Sequence, residues 1–254
     1  MLRWSLKNKY ALVTGGSKGI GLGIAKEFLE LGAYVTIVAR NENELKAVKT
    51  KYSGYGDHLK IFKADVSNLS DLNELVNFIN SKWDLLDILV NNVGTNIRKP
   101  VTEFNMEEYN HIFSTNLRSV YELSRLSFPL LKKSKQGNII NISSVAGLSH
   151  IKTGALYGMT KAAIIQFTKN LAVEWAEYGI RVNAIAPWYI NTPLAEQVLK
   201  NPEYKNEVIS RTPLGKIGNI EDVAGAAAFL CMPAAAYITG QCLAVDGGFT
   251  INGF

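Results

Sequence analysis

The sequence predicts an α/β domain with a doubly wound, mainly parallel, seven-stranded sheet and helices on both faces. Three observations carry this expectation. Short apolar runs alternate with stretches of helical periodicity from end to end, which is the pattern of strand–helix units joined by right-handed crossovers. A glycine-rich turn joins the first run to the first helix. Polar turns follow several later runs, at the sheet edge where ligands bind in open α/β folds. With 254 residues, 47% hydrophobic and 19% charged, the chain can bury one sizeable core. No repeat, linker or low-complexity stretch interrupts it, so residues 1–254 are expected to form a single domain.

Tyr10 to Val13 reads as the first strand, and Thr14-Gly15-Gly16-Ser17-Lys18-Gly19-Ile20-Gly21 follows directly. Ile20, Ile24, Phe28 and Leu31 then recur at helical spacing, and Gly32 closes the helix. Gly15, Gly19 and Gly21 suit a tight turn, close approach of a pyrophosphate to the backbone and close packing of helix on strand. The free amides at the helix start favour phosphate charge. Tyr34 to Ala39 is the second strand, and it ends on Ala39-Arg40. A site for NAD places a carboxylate there to receive the ribose hydroxyls, whereas a cation accommodates a 2′-phosphate. Arg40 offers a forked donor and Lys18 a second positive charge, so NADP(H) is expected over NAD(H).

Helix is expected from Asn41 to about Tyr52, strand from Leu59 to Lys63 and helix from Ser70 to Trp83. Asp65-Val66 follows the third strand, and Asp65 is placed to accept from an adenine amino group or to cap a turn. Ile88-Leu89-Val90-Asn91-Asn92-Val93-Gly94 is a fourth strand running into a polar turn. Glu107 to Lys133 reads as largely helical with Asn116 inside it, where asparagine gains little from propensity. A buried Asn there needs partners, either local ones or a water. Asn138 to Ile142 is the fifth strand, Ala155 to Tyr178 a long helix and Arg181 to Ala186 the sixth strand. Residues 188–211 are polar, contain proline and show a short helical pattern from Pro193 to Lys200, which suits a lid over a site. Ile220 to Cys231 is the last helix and Cys242 to Val245 the seventh strand.

A net charge of +5 makes nucleic acid or an anionic membrane conceivable partners, but the basic residues are dispersed. Lys132, Lys133 and Lys135 form the one dense group, at an expected helix end where cations complement the dipole. Neither nucleic acid nor membrane is expected. Val223 to Val245 lacks charge, yet it is rich in alanine and broken by Pro233 and Gly240, so it reads as buried helix and strand. Cys231 and Cys242 are too few for a disulfide framework and point to a reducing, cytoplasmic setting. His58, His111 and His150 are scattered, and no metal site is expected.

Taken in order, the glycine turn, the Asn-Asn-Val-Gly turn at Asn91–Gly94, Ser144 and the Tyr157-x-x-x-Lys161 pair resemble the short-chain dehydrogenase/reductase family, a single-domain Rossmann fold. Asn183-Ala184-Ile185-Ala186-Pro187, Tyr237-Ile238-Thr239-Gly240-Gln241 and Val245-Asp246-Gly247-Gly248 extend the resemblance over nearly the whole chain. Details at 8–18, at 171–176 and in the ending Asn252-Gly253-Phe254 are most similar to its tropinone-reductase-like branch. The resemblance implies a catalytic set of Asn116, Ser144, Tyr157 and Lys161. It implies cofactor contacts at Gly15, Ser17, Lys18, Gly19, Ile20, Gly21, Arg40, Asp65, Val66, Asn92 and Gly94, and also at Tyr157, Lys161, Pro187, Ile190 and Thr192. A homotetramer is implied as well. Two positions depart from the family pattern: Val93 stands where alanine is usual, and Trp188 where glycine usually follows the proline. The first is expected to crowd the cofactor and the second to narrow the substrate pocket.

Tyr157 and Lys161 lie one helical turn apart, on one face. A free tyrosine has a pKa of about 10. Positive charge from Lys161 and an oxidised nicotinamide is expected to lower it into a working range. Ser144, thirteen residues before Tyr157, is expected to stabilise charge on the reacting oxygen, with Ser143 as the neighbouring alternative. Asn116 is expected to hold a water that links Lys161 to solvent. Ile97, Val145, His150, Thr153, Trp188, Leu194 and Val198 are the expected substrate-pocket positions. The expected activity is NADPH-dependent reduction of a small or medium-sized ketone. A 3-oxoacyl carrier-protein reductase and a non-catalytic NADP(H) sensor or structural subunit are the alternatives.

Overall fold

A computed structural model describes residues 3–152 and 154–253. Its sheet comprises β1 (Tyr10–Thr14), β2 (Tyr34–Ala39), β3 (Leu59–Lys63), β4 (Ile88–Asn91), β5 (Asn138–Ile142), β6 (Arg181–Pro187) and β7 (Cys242–Val245). The spatial order is β3-β2-β1-β4-β5-β6-β7, and every neighbouring pair is parallel. The order reverses between β1 and β4, which leaves a crevice at their carboxyl ends, the usual ligand position in such sheets.

Strands covered on both faces must be apolar in both directions. Along β1, Ala11 and Val13 enter one core, while Leu12 enters the other. The first core takes Ile24 and Phe28 from α1 (Gly19–Glu30), Leu45 and Val48 from α2 (Glu42–Lys51) and, much later in the chain, Val223 and Ala227 from α9 (Ile220–Cys231). The second takes Leu72, Leu75 and Ile79 from α3 (Leu69–Trp83), Leu123, Leu130 and Leu131 from α5 (Ser119–Ser134), and Leu171 and Ala172 from α6 (Ala155–Glu174). Among the described residues, no helix is long and apolar enough to cross a membrane.

Buried asparagines on β4 and β5 fix the layer beneath the site. Asn91 Nδ2 donates to Asn141 Oδ1 (2.9 Å) and to Ser124 Oγ on α5 (3.2 Å). Asn141 Nδ2 donates to Thr168 Oγ1 on α6 (2.9 Å). All four residues are buried, so each bond avoids the desolvation cost of an unpaired amide or hydroxyl.

The single helix expected over 107–133 is a composite. α4 (Met106–Phe113) passes through a π turn (Ser114–Arg118) into α5, and Asn116 sits at the centre of that turn. The expected 155–178 helix ends at Glu174, and a separate 3₁₀ turn covers Ala176–Tyr178. Within 188–211 there are two short helices, α7 (Pro193–Leu199) and α8 (Pro202–Ser210), each begun by a side-chain cap, Thr192 or Asn201. Only Val208 of α8 is buried, so that helix carried little periodic signal.

Candidate active site

The nucleotide end is built from backbone. A Cβ on Gly21 would overlap Gly15 O and Asn92 Nδ2, so only glycine lets α1 start this close to β4. Asn41, Asn68 and Asn105 cap their helices with side-chain bonds. Lys18, at the N-cap of α1, makes none, and no acid occupies that first turn. The helix start therefore presents free amides and positive partial charge. Across the cleft, the Thr192 side chain stands 3.7 Å from where a Cβ of Gly19 would be. This uncapped cradle fits a pyrophosphate.

Other expected cofactor residues hold the frame. Asn92 Nδ2 donates to Thr14 O (2.9 Å) and Asn92 N to Thr14 Oγ1 (3.0 Å), tying β4 to β1. Val66, Ile190 and Pro187 are buried, and Ile190 is bridged to Gly218. Thr192 Oγ1 caps α7 through Ala195 N (3.2 Å). Arg40 Nη1 lies 3.8 Å from Asp65 Oδ2. Burial works to raise the Asp65 carboxyl, but bonds from Ser67 and the Arg40 charge outweigh it and hold it below the ordinary range. Val93 lodges against the core, with Cγ2 3.2 Å from the Cβ position of Gly15.

β5 and α6 bring the reacting groups together. Ser143 Oγ donates to Lys161 O (2.8 Å) and is thereby committed to the helix backbone. Ser144 Oγ instead accepts from Ala146 N (3.1 Å), which leaves its proton to give. Ser144 lies close enough to Tyr157 to work against the burial of its phenol. Lys161, 2% exposed, donates from Nζ to Ile142 O (2.8 Å) and lies 5.5 Å from the centre of the Tyr157 ring. A Cβ on Gly94 would stand 3.2 Å from that Nζ, so the glycine keeps the remaining N–H donors of Lys161 open on the cofactor side.

The lowering expected at Tyr157 draws on an oxidised nicotinamide as well as on Lys161, and the free protein has its own balance. Burial raises the Tyr157 phenol above its ordinary value, with Ser144 and Arg98 acting against it. Lys161 donates to Ile142 O with its ammonium over the Tyr157 ring. Burial also lowers Lys161, to about 8. Asn116 spends its side-chain amide on protein: Oδ1 accepts from Thr95 N (2.8 Å), and Nδ2 donates to Thr95 O (2.9 Å) and Thr160 Oγ1 (3.2 Å). It clamps the segment after Gly94 to the helix that carries Lys161.

The expected pocket residues divide. The Ile97 backbone is pressed against Gly154 at the start of α6, His150 is exposed in the preceding loop, and Leu194 and Val198 lie on α7. Val145 is fully buried and backs the site rather than lining it. Thr153 lies outside the described residues. Trp188 turns its ring toward the carboxyl-terminal segment. It stacks on Phe249 (3.8 Å between centroids, 9° between planes) and donates to Thr212 Oγ1 (3.2 Å). It thus lines a cavity of about 600 Å³ that includes none of the four expected catalytic residues. Two site residues escaped sequence reasoning. Arg98 acts on both Tyr157 and Tyr189, and Glu44 reaches Ser17 and Lys18 from α2. Arg98 is next to the expected Ile97 and was the signal available. The 188–211 segment is tied down by Lys152–Glu207 (2.6 Å) and by the Tyr189–Tyr204 hydroxyl pair (2.6 Å).

A dinucleotide-type cradle at the switch point, beside a serine, a tyrosine and a buried lysine, marks an oxidoreductase of the Rossmann type. Residues 15–250 match a family model described as enoyl-(acyl carrier protein) reductase. Two relatives from Arabidopsis thaliana carry the name tropinone reductase homolog. One is 49% identical, covering 99% of this chain and 96% of its own length. The other, described as chloroplastic, is 50% identical, with 99% and 79% covered. Among solved structures, a putative gluconate dehydrogenase from Agrobacterium tumefaciens superposes with a TM-score of 0.95 at 31% identity, covering 98% of this chain and 99% of that one. A gluconate 5-dehydrogenase from Burkholderia cenocepacia, solved with NADP and tartrate, gives 0.93 at 32%, with 98% of each chain covered. The chain belongs to the short-chain dehydrogenase/reductase family of oxidoreductases, and its similarity is to tropinone reductase homologs.

Proposed function

We propose that this protein is an NADP(H)-dependent reductase that interconverts a ketone and a secondary alcohol, with Tyr157 as proton donor and acceptor. The observation that carries this reading is the convergence of Ser144, Tyr157 and Lys161, with the Ser144 hydroxyl not donated to the backbone and Lys161 Nζ 5.5 Å from the centre of the Tyr157 ring. The uncapped start of α1 and the glycine cradle fit the pyrophosphate. Ser17, Lys18, Ile20 and Arg40 would hold the phosphate-bearing ribose side, Asp65 and Val66 the adenine. Asn92, Gly94, Tyr157, Lys161, Pro187, Ile190 and Thr192 would hold the nicotinamide side. When bound, the nicotinamide supplies or accepts the hydride.

The protein's own groups then handle the proton and the developing charge. Burial keeps the phenol of Tyr157 protonated at neutral pH, which suits proton donation in the reducing direction. Ser144 donates to the same substrate oxygen and stabilises its negative charge. Lys161, with one donor on Ile142 O, has others left that would hold the ribose. Asn116 positions Thr95, and with it the segment after Gly94 that would face the ribose. In cells, we place the protein in the cytoplasm as a homotetramer, as the free thiols of Cys231 and Cys242 and the family resemblance imply.

The experiment is a screen that follows NADPH oxidation over small ketones, with a 3-oxoacyl carrier-protein substrate alongside. Turnover of free ketones is expected. Turnover of the carrier-bound substrate alone would replace the ketone reading with the acyl one. Tight NADPH binding without turnover on any carbonyl would leave a sensor.

A further inference from the structure

Resting on the NADP(H) reading above, we propose that Glu44 sets cofactor selectivity. In the free protein its carboxylate takes the place on Ser17 and Lys18 that a 2′-phosphate would occupy, and it accepts from the ribose 2′-hydroxyl when that phosphate is absent.

Glu44 is aimed by its helix. Asn41 caps α2 by accepting from Asn43 N (3.0 Å) and Glu44 N (3.2 Å). Leu45, beside Glu44, and Val48 are buried in the first core, so the first turn of α2 cannot roll. From there Glu44 Oε2 accepts from Ser17 Oγ (2.8 Å) and Oε1 from Lys18 Nζ (3.0 Å). Those two bonds hold its carboxyl below the ordinary range. A carboxylate bridging a hydroxyl and an ammonium is the geometry of an anion site filled from within.

The rest of the corner supports this. Ala39, where NAD-type sites carry their acid, has no carboxylate; Glu44 supplies one from the next helix. The second cation, Arg40, is itself matched by Asp65 at 3.8 Å. Each of these two cations therefore already faces a carboxylate before any nucleotide arrives. A 2′-phosphate must displace Glu44 from Lys18 and then sit beside its charge, whereas a 2′-hydroxyl can donate to Glu44 and leave the Lys18 pair intact. The chain is thus built to accept both NADPH and NADH, and Glu44 restrains its preference for the phosphorylated form.

The test is titration of nucleotide binding by fluorescence, without carbonyl substrate, for the wild type, Glu44→Gln, Glu44→Ala and Lys18→Ala/Glu44→Gln. Glu44→Gln keeps the shape and removes the charge. A charge-assisted bond gained or lost at such a site acts on the scale of about tenfold in affinity. NADPH is expected to bind Glu44→Gln about tenfold more tightly and NADH more weakly, with Glu44→Ala shifting in the same direction. The NADPH gain is expected to disappear once Lys18 is also removed. An unchanged NADPH/NADH ratio overturns the inference. So does weaker NADPH binding to Glu44→Gln, which would make Glu44 a support for Lys18. Either result with wild-type binding intact leaves the oxidoreductase reading standing. Wild-type protein that binds neither nucleotide removes both.

Discussion

Lys161 is expected to cost the protein stability, and Lys161→Met to make the cofactor-free protein more stable while destroying its activity. The ammonium is 2% exposed, and burial holds it at about 8 rather than 10.5. At about 1.36 kcal/mol for each tenfold in the proton equilibrium, keeping that charge in the fold at pH 7 costs about 3 kcal/mol. Loss of the bond to Ile142 O returns about 1 kcal/mol. The net gain for Lys161→Met is about 2 kcal/mol, or about 4–8 °C in Tm for a chain of this size. The pH dependence separates this from ordinary repacking. Below pH 8 the lysine is charged in both folded and unfolded states, so the gap between the two proteins is constant. From about 8 to 10.5 the folded wild type gives up its proton while the unfolded chain keeps it. Wild-type stability then rises with pH and the gap closes. Denaturant unfolding of both proteins side by side at pH 7 and pH 10 measures it. A variant no more stable than wild type at pH 7, or a gap that ignores pH, refutes the reasoning.

Four other substitutions test the site. Arg40→Ala is expected to weaken NADPH binding about tenfold, the scale of one charge-assisted contact, and to spare NADH; equal losses for both would remove Arg40 from the 2′-phosphate. Ser144→Ala is expected to lower kcat about 100-fold with NADPH binding unchanged, whereas Ser143→Ala, which loses the bond to Lys161 O, should cost mainly about 1 kcal/mol of stability; steady-state kinetics and urea unfolding would show the ranking reversed if the two serines were misassigned. Asn116→Ala leaves Thr95 N, Thr95 O and Thr160 Oγ1 without their amide partner, and should lower stability by about 2 kcal/mol in urea unfolding; a neutral result would mean the Thr95 segment is held by other groups.

The strands and the glycine cradle were legible because both are local. Val35, Ile37 and Val38 need neighbours on either face, and that need is written as an unbroken apolar run. The break at Asn116 was not legible. A π turn adds one residue without disturbing the apolar stripe on either side, and its cause is a tertiary clamp onto Thr95. The partner of Trp188 was hidden for a similar reason: its ring stacks on Phe249, sixty-one residues away. Nothing local marks Glu44 or Arg98 before the fold sets them near Lys18 and Tyr157. The Tyr157 shift also depends on burial, which no spacing encodes.

The central claim is that Tyr157 moves the proton. Its most direct test is single-turnover NADPH oxidation with an active ketone, comparing wild type with Tyr157→Phe after nucleotide titration has shown that both bind NADPH. Loss of the general acid is expected to lower the rate by about 10²–10⁴-fold with NADPH affinity nearly unchanged. A Tyr157→Phe protein that oxidises NADPH at the wild-type rate would contradict the account.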